Sequence, residues 1–285
     1  MPYKIIQISD SHLHNSNGVK EMLQQFSPND KLQLVFDDIY KHRLDYNASL
    51  IVITGDLIHE GNKLDYKRLR KYLNKQRDRI GVPIFVTLGN HDRTDAFFTG
   101  YLNEPAQNHY YYKVGLADYD IYCLDTTFKD LPQGYLDRQQ LDWVKKELAA
   151  SDKPALMFMH HPSAGVVLDN MNFSILQNSE ELYDVIRGHR ILGIFSGHVH
   201  FPASFVRDGV LNVVCDSTAY HIDCRNDHDH LYKDSTSYNI INIDHDNVGV
   251  SSVSLVSDNR FSDNVNGHMK IANTNFVDRK MFSKA

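Results

Sequence analysis

The sequence has few cysteines, and only three occur in 285 residues. Cys123, Cys215 and Cys224 are too scattered for a zinc cluster, and an odd number of thiols cannot all pair. This excludes a small fold held together by disulfides. The pattern favours a reducing compartment, so we expect a cytoplasmic protein.

Long apolar runs and a surplus of basic charge are also missing. No run approaches the ~20 residues that a membrane helix needs, and the first residues lead into a strand without a signal-peptide pattern. The formal net charge is −6. We therefore expect neither a membrane nor long nucleic acid as a partner, and an anionic substrate would need local positive charge such as metal ions.

What the sequence does contain is an alternation of apolar strand-like runs and helix-like stretches, followed by several short strands. Helices are predicted to begin at Ser27-Pro28, at Asp137 and at Ser179. The alternation predicts an α/β protein in which two sheets pack face to face with helices outside. We see no linker or repeat, so we predict one catalytic domain over residues 1–256. Residues 257–285 are expected to form a tail or an arm that packs on a partner subunit.

One stretch, Leu50 to Asp56, indicates where a site would lie. Its β-branched run is typical of a strand that is buried on both faces, and Gly55 allows the chain to turn as the strand ends. Asp56 would then lie at the carboxyl edge of a sheet, where open α/β folds place their ligands. A buried carboxylate needs a partner of opposite charge, and a metal ion is the strongest candidate.

Four other predicted strands end in the same manner, on residues that can bind metals. The residues at the five strand ends are Asp10 and His12, Asp56, Asn90 and His91, His160, and His198 and His200. A single histidine after a strand is more often an ordinary loop residue, and Gly-Asn alone favours a turn. Five such ends in one chain argue against coincidence.

The residue types also indicate the kind of ion. Carboxylate, imidazole and amide ligands together suit iron, manganese, zinc or cobalt rather than calcium. Seven ligands exceed what one tetrahedral ion needs. They fit two ions roughly 3.5–4 Å apart that share a bridging carboxylate.

In order and spacing, these blocks resemble the calcineurin-like metallophosphoesterases over residues 1 to about 220. Within that superfamily, five further segments resemble the branch that contains class III cyclic-nucleotide phosphodiesterases and glycerophosphodiesterases. They are Leu124-Asp125-Thr126, Gly134-Tyr135-Leu136, Gln140-Leu141-Asp142-Trp143, Met159-His160-His161-Pro162 and Ser217-Thr218-Ala219-Tyr220. Ser163 departs from the pattern, because a second proline is usual there.

The resemblance implies a four-layer αββα sandwich of two mixed β-sheets flanked by helices. It also implies two divalent or trivalent metal ions (Fe, Mn, Zn or Co). Asp56 would bridge them, with the remaining ligands Asp10, His12 and His200 on the first ion, and Asn90, His160 and His198 on the second. His160 is chosen over His161 because it ends the strand.

The activity implied by the resemblance is hydrolysis of a small phosphodiester, a 3′,5′-cyclic nucleotide such as cAMP, by attack of a metal-bound hydroxide. The alternative is a glycerophosphodiesterase, or a broad phosphodiesterase or phosphatase with the same metal core. His91 is the catalytic candidate, Asn90, His91 and His221 are the substrate-binding candidates, and a homodimer is the expected assembly.

Several roles remain open at this point. Asp92 could orient His91, but capping of the following turn is favoured. His14 and His59 could line the pocket, although exposed loop positions are the default interpretation. A metal-free interaction scaffold on the same fold is a further alternative, and the complete set of ligands argues against it.

Overall fold

The computed structural model describes residues 2–14, 26–129, 131–224 and 231–264, with only the backbone for residues 257–264. The strands in these ranges are β1 (Tyr3–Ile8), β2 (Leu50–Thr54), β3 (Ile84–Thr87), β4 (Tyr112–Gly115), β5 (Asp120–Cys123), β6 (Ala155–Phe158), β7 (Ile191–Ser196), β8 (Ala203–Arg207), β9 (Val210–Val214), β10 (His221–Asp223), β11 (Leu231–Asp244) and β12 (Asn247–Asn264). The α-helices are α1 (Pro28–Lys41), α2 (Arg43–Tyr46), α3 (Lys63–Ile80), α4 (Thr94–Phe97), α5 (Arg138–Ala149) and α6 (Ser179–Ile186). A π-helix covers Phe98–Leu102 and a 3₁₀-helix covers Val166–Met171.

The strands form two mixed sheets. In the first, the order is β10-β11-β1-β2-β3, with β12 paired to β11, and β1, β2 and β3 are parallel. In the second, the order is β4-β5-β6-β7-β9-β8, and β5, β6, β7 and β9 are parallel. The carboxyl ends of β1 to β3 therefore share one edge, and those of β6 and β7 share the corresponding edge of the other sheet.

The hydrophobic core has three layers, one between the two sheets and one between each sheet and the helices that cover it. Ile5 and Val52 of the first sheet face Phe158 and Phe195 of the second across the central layer. Helices α1 and α3 cover the outer face of the first sheet, and α5 and α6 cover the second. Strands β1 and β2 are thus buried on both faces, because alternate side chains point to the helices and to the other sheet. The predicted αββα sandwich is confirmed.

The predicted helix starts agree in part with the structure. Ser27 caps α1 and forms a capping box with Asp30. Asp137 caps α5 by accepting from the Gln140 N–H at 2.7 Å. The start of α6 was predicted one residue late, because Asn178 is its N-cap. The Ser179 hydroxyl instead donates to the carbonyl of Leu176 at 2.6 Å.

The C-terminal division stays a prediction. Strand β12 continues past residue 256 to Asn264, and residues 265–285 lie outside the described part of the chain. No helix in the described ranges is long and apolar enough to span a membrane.

Candidate metal centre

The structure brings all seven predicted ligands together at the shared edge of the two sheets. Four of them, Asp10, His12, Asp56 and His200, have ligand atoms within 4.8 Å of one another, and all four are buried. The Nε2 atoms of His12 and His200 lie 3.0 Å apart. His12 Nε2 is also 3.4 Å from Asp56 Oδ2, and His200 Nε2 is 3.4 Å from Asp10 Oδ1.

The other predicted ligands surround His160. Its Nε2 lies 3.1 Å from Asn90 Oδ1 and 3.1 Å from His198 Nδ1. The same Nε2 is 3.4 Å from Asp56 Oδ2. Asp56 Oδ2 is therefore equally far from a histidine of each group, which is the position expected of a bridging ligand.

Backbone carbonyls fix the tautomers of two of these histidines. His160 Nδ1 donates to the carbonyl of Thr54 at 2.9 Å, and His200 Nδ1 donates to that of Tyr220 at 2.9 Å. Because a carbonyl only accepts, each Nδ1 carries the proton. Each Nε2 then presents its lone pair to the cluster, as in metal sites that are oriented from behind.

Hydrogen bonds between loops hold the strand ends in place. The N–H of His12 donates to the carbonyl of Asp56 at 2.8 Å, and the N–H of His198 donates to Asp10 Oδ2 at 2.9 Å. The second of these bonds joins the two sheets directly. The N–H of His91 donates to Asp56 Oδ1 at 2.9 Å, so the central carboxylate is itself anchored.

The two aspartates are ionised in this environment. Burial alone would raise the pKa of Asp10, but the neighbouring histidines, His200 first, lower it to about 2. Burial also acts against ionisation of Asp56. The positive potential of His160 and His12 nevertheless lowers the pKa of Asp56 well below its usual range.

The pKa values of the histidines shift in opposite directions. Burial lowers the pKa of His12 and of His198 to about 3. Burial would lower the pKa of His160 as well, but Asp56 raises it to about 9. The cluster therefore stabilises positive charge beside Asp56.

These residues fit a pair of cations. Imidazole nitrogens and carboxylate oxygens, which act as acceptors when deprotonated, meet at 3.0–3.4 Å. Such a grouping of acceptors is costly in a buried site unless a cation lies among them. The donor set and the fold indicate two metal ions.

The remaining predicted residues lie around the cluster. His91 is half-buried, with its ring centroid 5.1 Å from that of His12. His161 is buried, and its Nδ1 lies 2.7 Å from Thr126 Oγ1. His221 is next to the loop that follows β9, where its Nδ1 is 3.1 Å from both carboxylate oxygens of Asp216.

Asp92 is bonded to the neighbouring loop and not to the ring of His91. Its carboxylate accepts from the N–H groups of Leu57 at 3.0 Å and Gly89 at 2.9 Å, and from the hydroxyl of Tyr66 at 2.7 Å. The favoured prediction that Asp92 caps the following turn is wrong, because its carboxylate bonds to the preceding turn at Gly89 and to the loop after β2, and α4 begins at the N-cap Arg93 without a side-chain cap.

Sequence reasoning missed the polar residues behind the ligands. Gln7 lies in the middle of β1, fully buried, and its Nε2 donates to the carbonyl of Ser196 at 2.9 Å in the other sheet. Ser9 Oγ donates to the carbonyl of Thr54 at 3.0 Å. A glutamine inside an otherwise apolar strand was the available signal for Gln7.

Comparison with known proteins supports these observations. A cAMP/cGMP dual specificity phosphodiesterase of Mycobacterium tuberculosis is 27% identical over 220 residues, which cover 76% of this chain and 68% of the relative. A 3′,5′-cyclic-nucleotide phosphodiesterase of Nostoc sp. is 29% identical over 222 residues, which cover 77% of this chain and 80% of the relative. A protein of Arcobacter nitrofigilis named "Probable glycerophosphodiester phosphodiesterase GpdQ" is 24% identical over 235 residues, covering 76% and 79%.

The fold has solved counterparts. The crystal structure of a dimetal phosphatase from Danio rerio superposes with a TM-score of 0.57 at 16% identity, covering 90% of this chain and 99% of that chain. Residues 3–202 match the family model described as calcineurin-like phosphoesterase, a range that includes all seven predicted ligands. On this match, the chain belongs to the calcineurin-like phosphoesterase family.

Proposed function

We propose that this chain is a dinuclear metal-dependent phosphodiesterase that hydrolyses small phosphodiesters, with 3′,5′-cyclic nucleotides such as cAMP as its substrates. The observation that carries the proposal is the position of Asp56. Its Oδ2 lies 3.4 Å from the Nε2 of His12 and 3.4 Å from the Nε2 of His160, between the two groups of ligands.

In this proposal each ion has four protein ligands. The ligands of the first are Asp10, His12, Asp56 and His200, and those of the second are Asp56, Asn90, His160 and His198. The mixed ligands favour iron, manganese, zinc or cobalt. Two such ions, when bound, lower the pKa of a water molecule and offset negative charge on the phosphate oxygens.

The other roles fall to residues at the open side of the cluster. His91 donates a proton to the leaving alkoxide, because its ring is half-buried beside His12 and is not needed as a ligand. Asn90 and His221, together with His91, contact the substrate. Asp216 orients the His221 ring from 3.1 Å.

Glycerophosphodiesters are the second candidate substrates. The relative from Arcobacter nitrofigilis favours them, since it matches this chain over a similar share of its length as the cyclic-nucleotide relatives do. The same metal core would serve both reactions, and the difference would lie in the pocket around it.

The test is a substrate panel on the purified chain after chelation and reloading with manganese. The values of kcat/KM are compared for cAMP, glycerophosphoethanolamine, bis(p-nitrophenyl) phosphate and p-nitrophenyl phosphate. We expect cAMP to be preferred over glycerophosphoethanolamine, and the monoester to be the poorest substrate. A preference for glycerophosphoethanolamine over cAMP supports glycerophosphodiesters as the substrates.

Two controls make this assay decisive. Asp56→Asn should reduce turnover of every diester by about 10²-fold or more, because the shared ligand is weakened. His245→Ala, at an exposed ring in the turn between β11 and β12, should have no effect. A preference for the monoester over all diesters overturns the diesterase proposal, and the absence of manganese-dependent activity favours a metal-free scaffold.

The homodimer and the cytoplasmic location stay predictions. Sedimentation of the purified chain at several concentrations measures the first, and fractionation of the source cells measures the second.

A further inference from the structure

Within the described part of the chain, the imidazole of His91 is held without a hydrogen bond to its ring. Its backbone is fixed on both sides, because its N–H donates to Asp56 Oδ1 at 2.9 Å and its carbonyl accepts from the Glu60 N–H at 3.0 Å. Among the described residues, no hydrogen bond to either ring nitrogen is found. A proton donor must nevertheless be oriented toward the leaving group, usually by a partner on its second nitrogen.

Asp92, the adjacent carboxylate, does not supply that partner. Its oxygens accept from the N–H groups of Leu57, Ile58 and Gly89. The Asp92 carboxylate also accepts a hydrogen bond from the hydroxyl of Tyr66 at 2.7 Å. Something other than the next residue must therefore set the angle of the His91 ring.

His59 is in contact with that ring. The two imidazoles stack with centroids 4.4 Å apart and planes inclined by 23°. The ring of His91 also meets His12 edge to face, with centroids 5.1 Å apart and an angle of 66°. The rings of His12 and His59 are themselves 5.7 Å apart, so the three imidazoles form a triangle in which His59 is the ring stacked on His91. This stacking restricts rotation of the His91 side chain.

His59 can serve as such a support because its own backbone is anchored to the same loops. Its N–H donates to the carbonyl of Leu13 at 3.1 Å, and a parallel bridge joins Leu13 to Ile58. The next residue, Glu60, bonds to the carbonyl of His91 itself. The His59 side chain is exposed, so its contribution to folding through burial is small.

A shared metal ion does not explain the pair. His12, His59 and His91 are close enough together to be considered as a metal-binding group. A metal ion binds an imidazole nitrogen in the plane of the ring. Two nearly parallel, stacked rings cannot both point to one ion without rotating apart.

We propose that His59 is a positioning residue for His91, which holds the catalytic imidazole by stacking at the angle needed to protonate the leaving oxygen. This inference rests on the proposed function, because it requires His91 to be the proton donor. His59 is neither a metal ligand nor a substrate contact in this role. Its ring also lies 5.7 Å from that of His12, a ligand of the first ion in the proposal, so the metal content of the variants is measured to separate an effect through His91 from one through His12.

The test compares His59→Ala, which removes the stacked ring, with His59→Phe, which keeps a planar ring and removes both nitrogens. Each variant is assayed on cAMP, whose alkoxide is a poor leaving group, and on bis(p-nitrophenyl) phosphate, whose phenolate is a good one. For His59→Ala we expect kcat on cAMP to fall about tenfold, with KM unchanged and less than about twofold loss on the activated diester. His59→Phe should restore most of the loss, and metal content should stay that of the wild type.

A parallel His91→Ala variant separates the two levels of the proposal. If His91→Ala shows the same selective loss on cAMP and His59→Ala does not, the positioning role of His59 is wrong and the role of His91 stands. If His91→Ala loses equally on both substrates, the proton-donor role fails, and the inference fails with it. Equal losses for His59→Ala and His59→Phe would mean that a nitrogen of His59 is needed, which also overturns positioning by stacking.

Discussion

At the scale of single residues, the candidate metal centre is built from backbone conformations that most side chains avoid. Five of the seven predicted ligands have φ between 41° and 72°, namely Asp10, His12, Asp56, His198 and His200. Each such left-handed non-glycine residue costs on the order of 1–3 kcal/mol. The hydrogen bonds between the loops, such as the one from the His198 N–H to Asp10, offset that cost.

The sequence predicted which residues these are but not their conformation. Asp10 and Asp56 were found because each ends an apolar strand. Their left-handed φ is imposed by bonds to residues that are distant in the chain, as when the N–H of Asp10 reaches the carbonyl of Gly55 at 3.2 Å. A local pattern contains no signal for such a bond.

Glycine is required at position 89 by the space that Asp56 occupies. A Cβ atom on Gly89 would overlap the Asp56 carboxylate and also its backbone nitrogen, which cannot move cheaply. We expect Gly89→Ala to displace Asp56, the predicted shared ligand. Unfolding free energy should fall by about 1–3 kcal/mol, and kcat/KM on bis(p-nitrophenyl) phosphate should fall by about 10²-fold.

The matched control is Gly249→Ala, because an added Cβ at that exposed position meets nothing within 4 Å. Urea unfolding and steady-state kinetics are measured on both variants. Equal behaviour of the two would show that the close approach at Gly89 is unimportant.

At the scale of secondary-structure elements, the strands that end at the site were the most predictable. Strong apolar runs specify them, and both faces of β1 and β2 are buried. Strand β4, in contrast, begins only at Tyr112, although the run of aromatic residues begins at Tyr110. The backbone just before Tyr112 bonds to a side chain instead of to a neighbouring strand, since the Tyr110 N–H donates to Asp125 Oδ2 at 2.8 Å.

Helix α1 contains a buried cation that its sequence pattern did not reveal. Lys31 is fully buried, and its Nζ lies 2.5 Å from Asp234 Oδ1 on β11. It also donates to the carbonyls of Ala219 and Ser235. Next to Ala219, the carbonyl of Tyr220 holds the ring of His200, so Lys31 joins α1 to the loop behind a predicted ligand.

Removing this cation should strongly destabilise the protein. We expect Lys31→Met to lower the free energy of unfolding by about 3–5 kcal/mol, because the buried ion pair between Lys31 and Asp234 would be broken. Lys71→Met, at an exposed position of α3, should change it by less than about 0.5 kcal/mol. Urea denaturation measures both.

A double variant tests whether the buried charge of Asp234 causes this loss of stability. Lys31→Met combined with Asp234→Asn removes both charges and should recover part of the loss. If the double variant is less stable than the sum of the two single changes predicts, the buried charge is not the cause.

At the scale of the whole molecule, the site lies between two sheets and draws its predicted ligands from both. The first sheet carries Asp10 and Asp56, and the second carries His160 and His198. Alternating strands and helices predicted two sheets. They did not predict that the Gln7 side chain would bond to Ser196 of the other sheet, because a glutamine in an apolar strand signals a buried polar contact but does not identify its distant partner.

Because the predicted ligands come from both sheets, metal ions should stabilise the whole domain and not only a loop. We expect the chelated chain to unfold at lower temperature and lower urea than the chain loaded with manganese. A ligand at a thousandfold excess over its dissociation constant adds about 4 kcal/mol per site, if it binds only the folded state. The same binding would offset the strained φ angles of Asp10 and Asp56.

Asn90 distinguishes the two ions in this measurement. Asn90→Ala removes a predicted ligand of the second ion alone, so metal content should fall from two ions toward one and part of the stabilisation should disappear. Asn170→Ala, an exposed asparagine in the 3₁₀-helix, should keep both ions and the full stabilisation. Metal analysis by mass spectrometry and thermal unfolding are carried out on the same samples. Full stabilisation of Asn90→Ala with two bound ions would contradict the assignment of this residue, since the shared edge of the sheets would then hold the second ion without it.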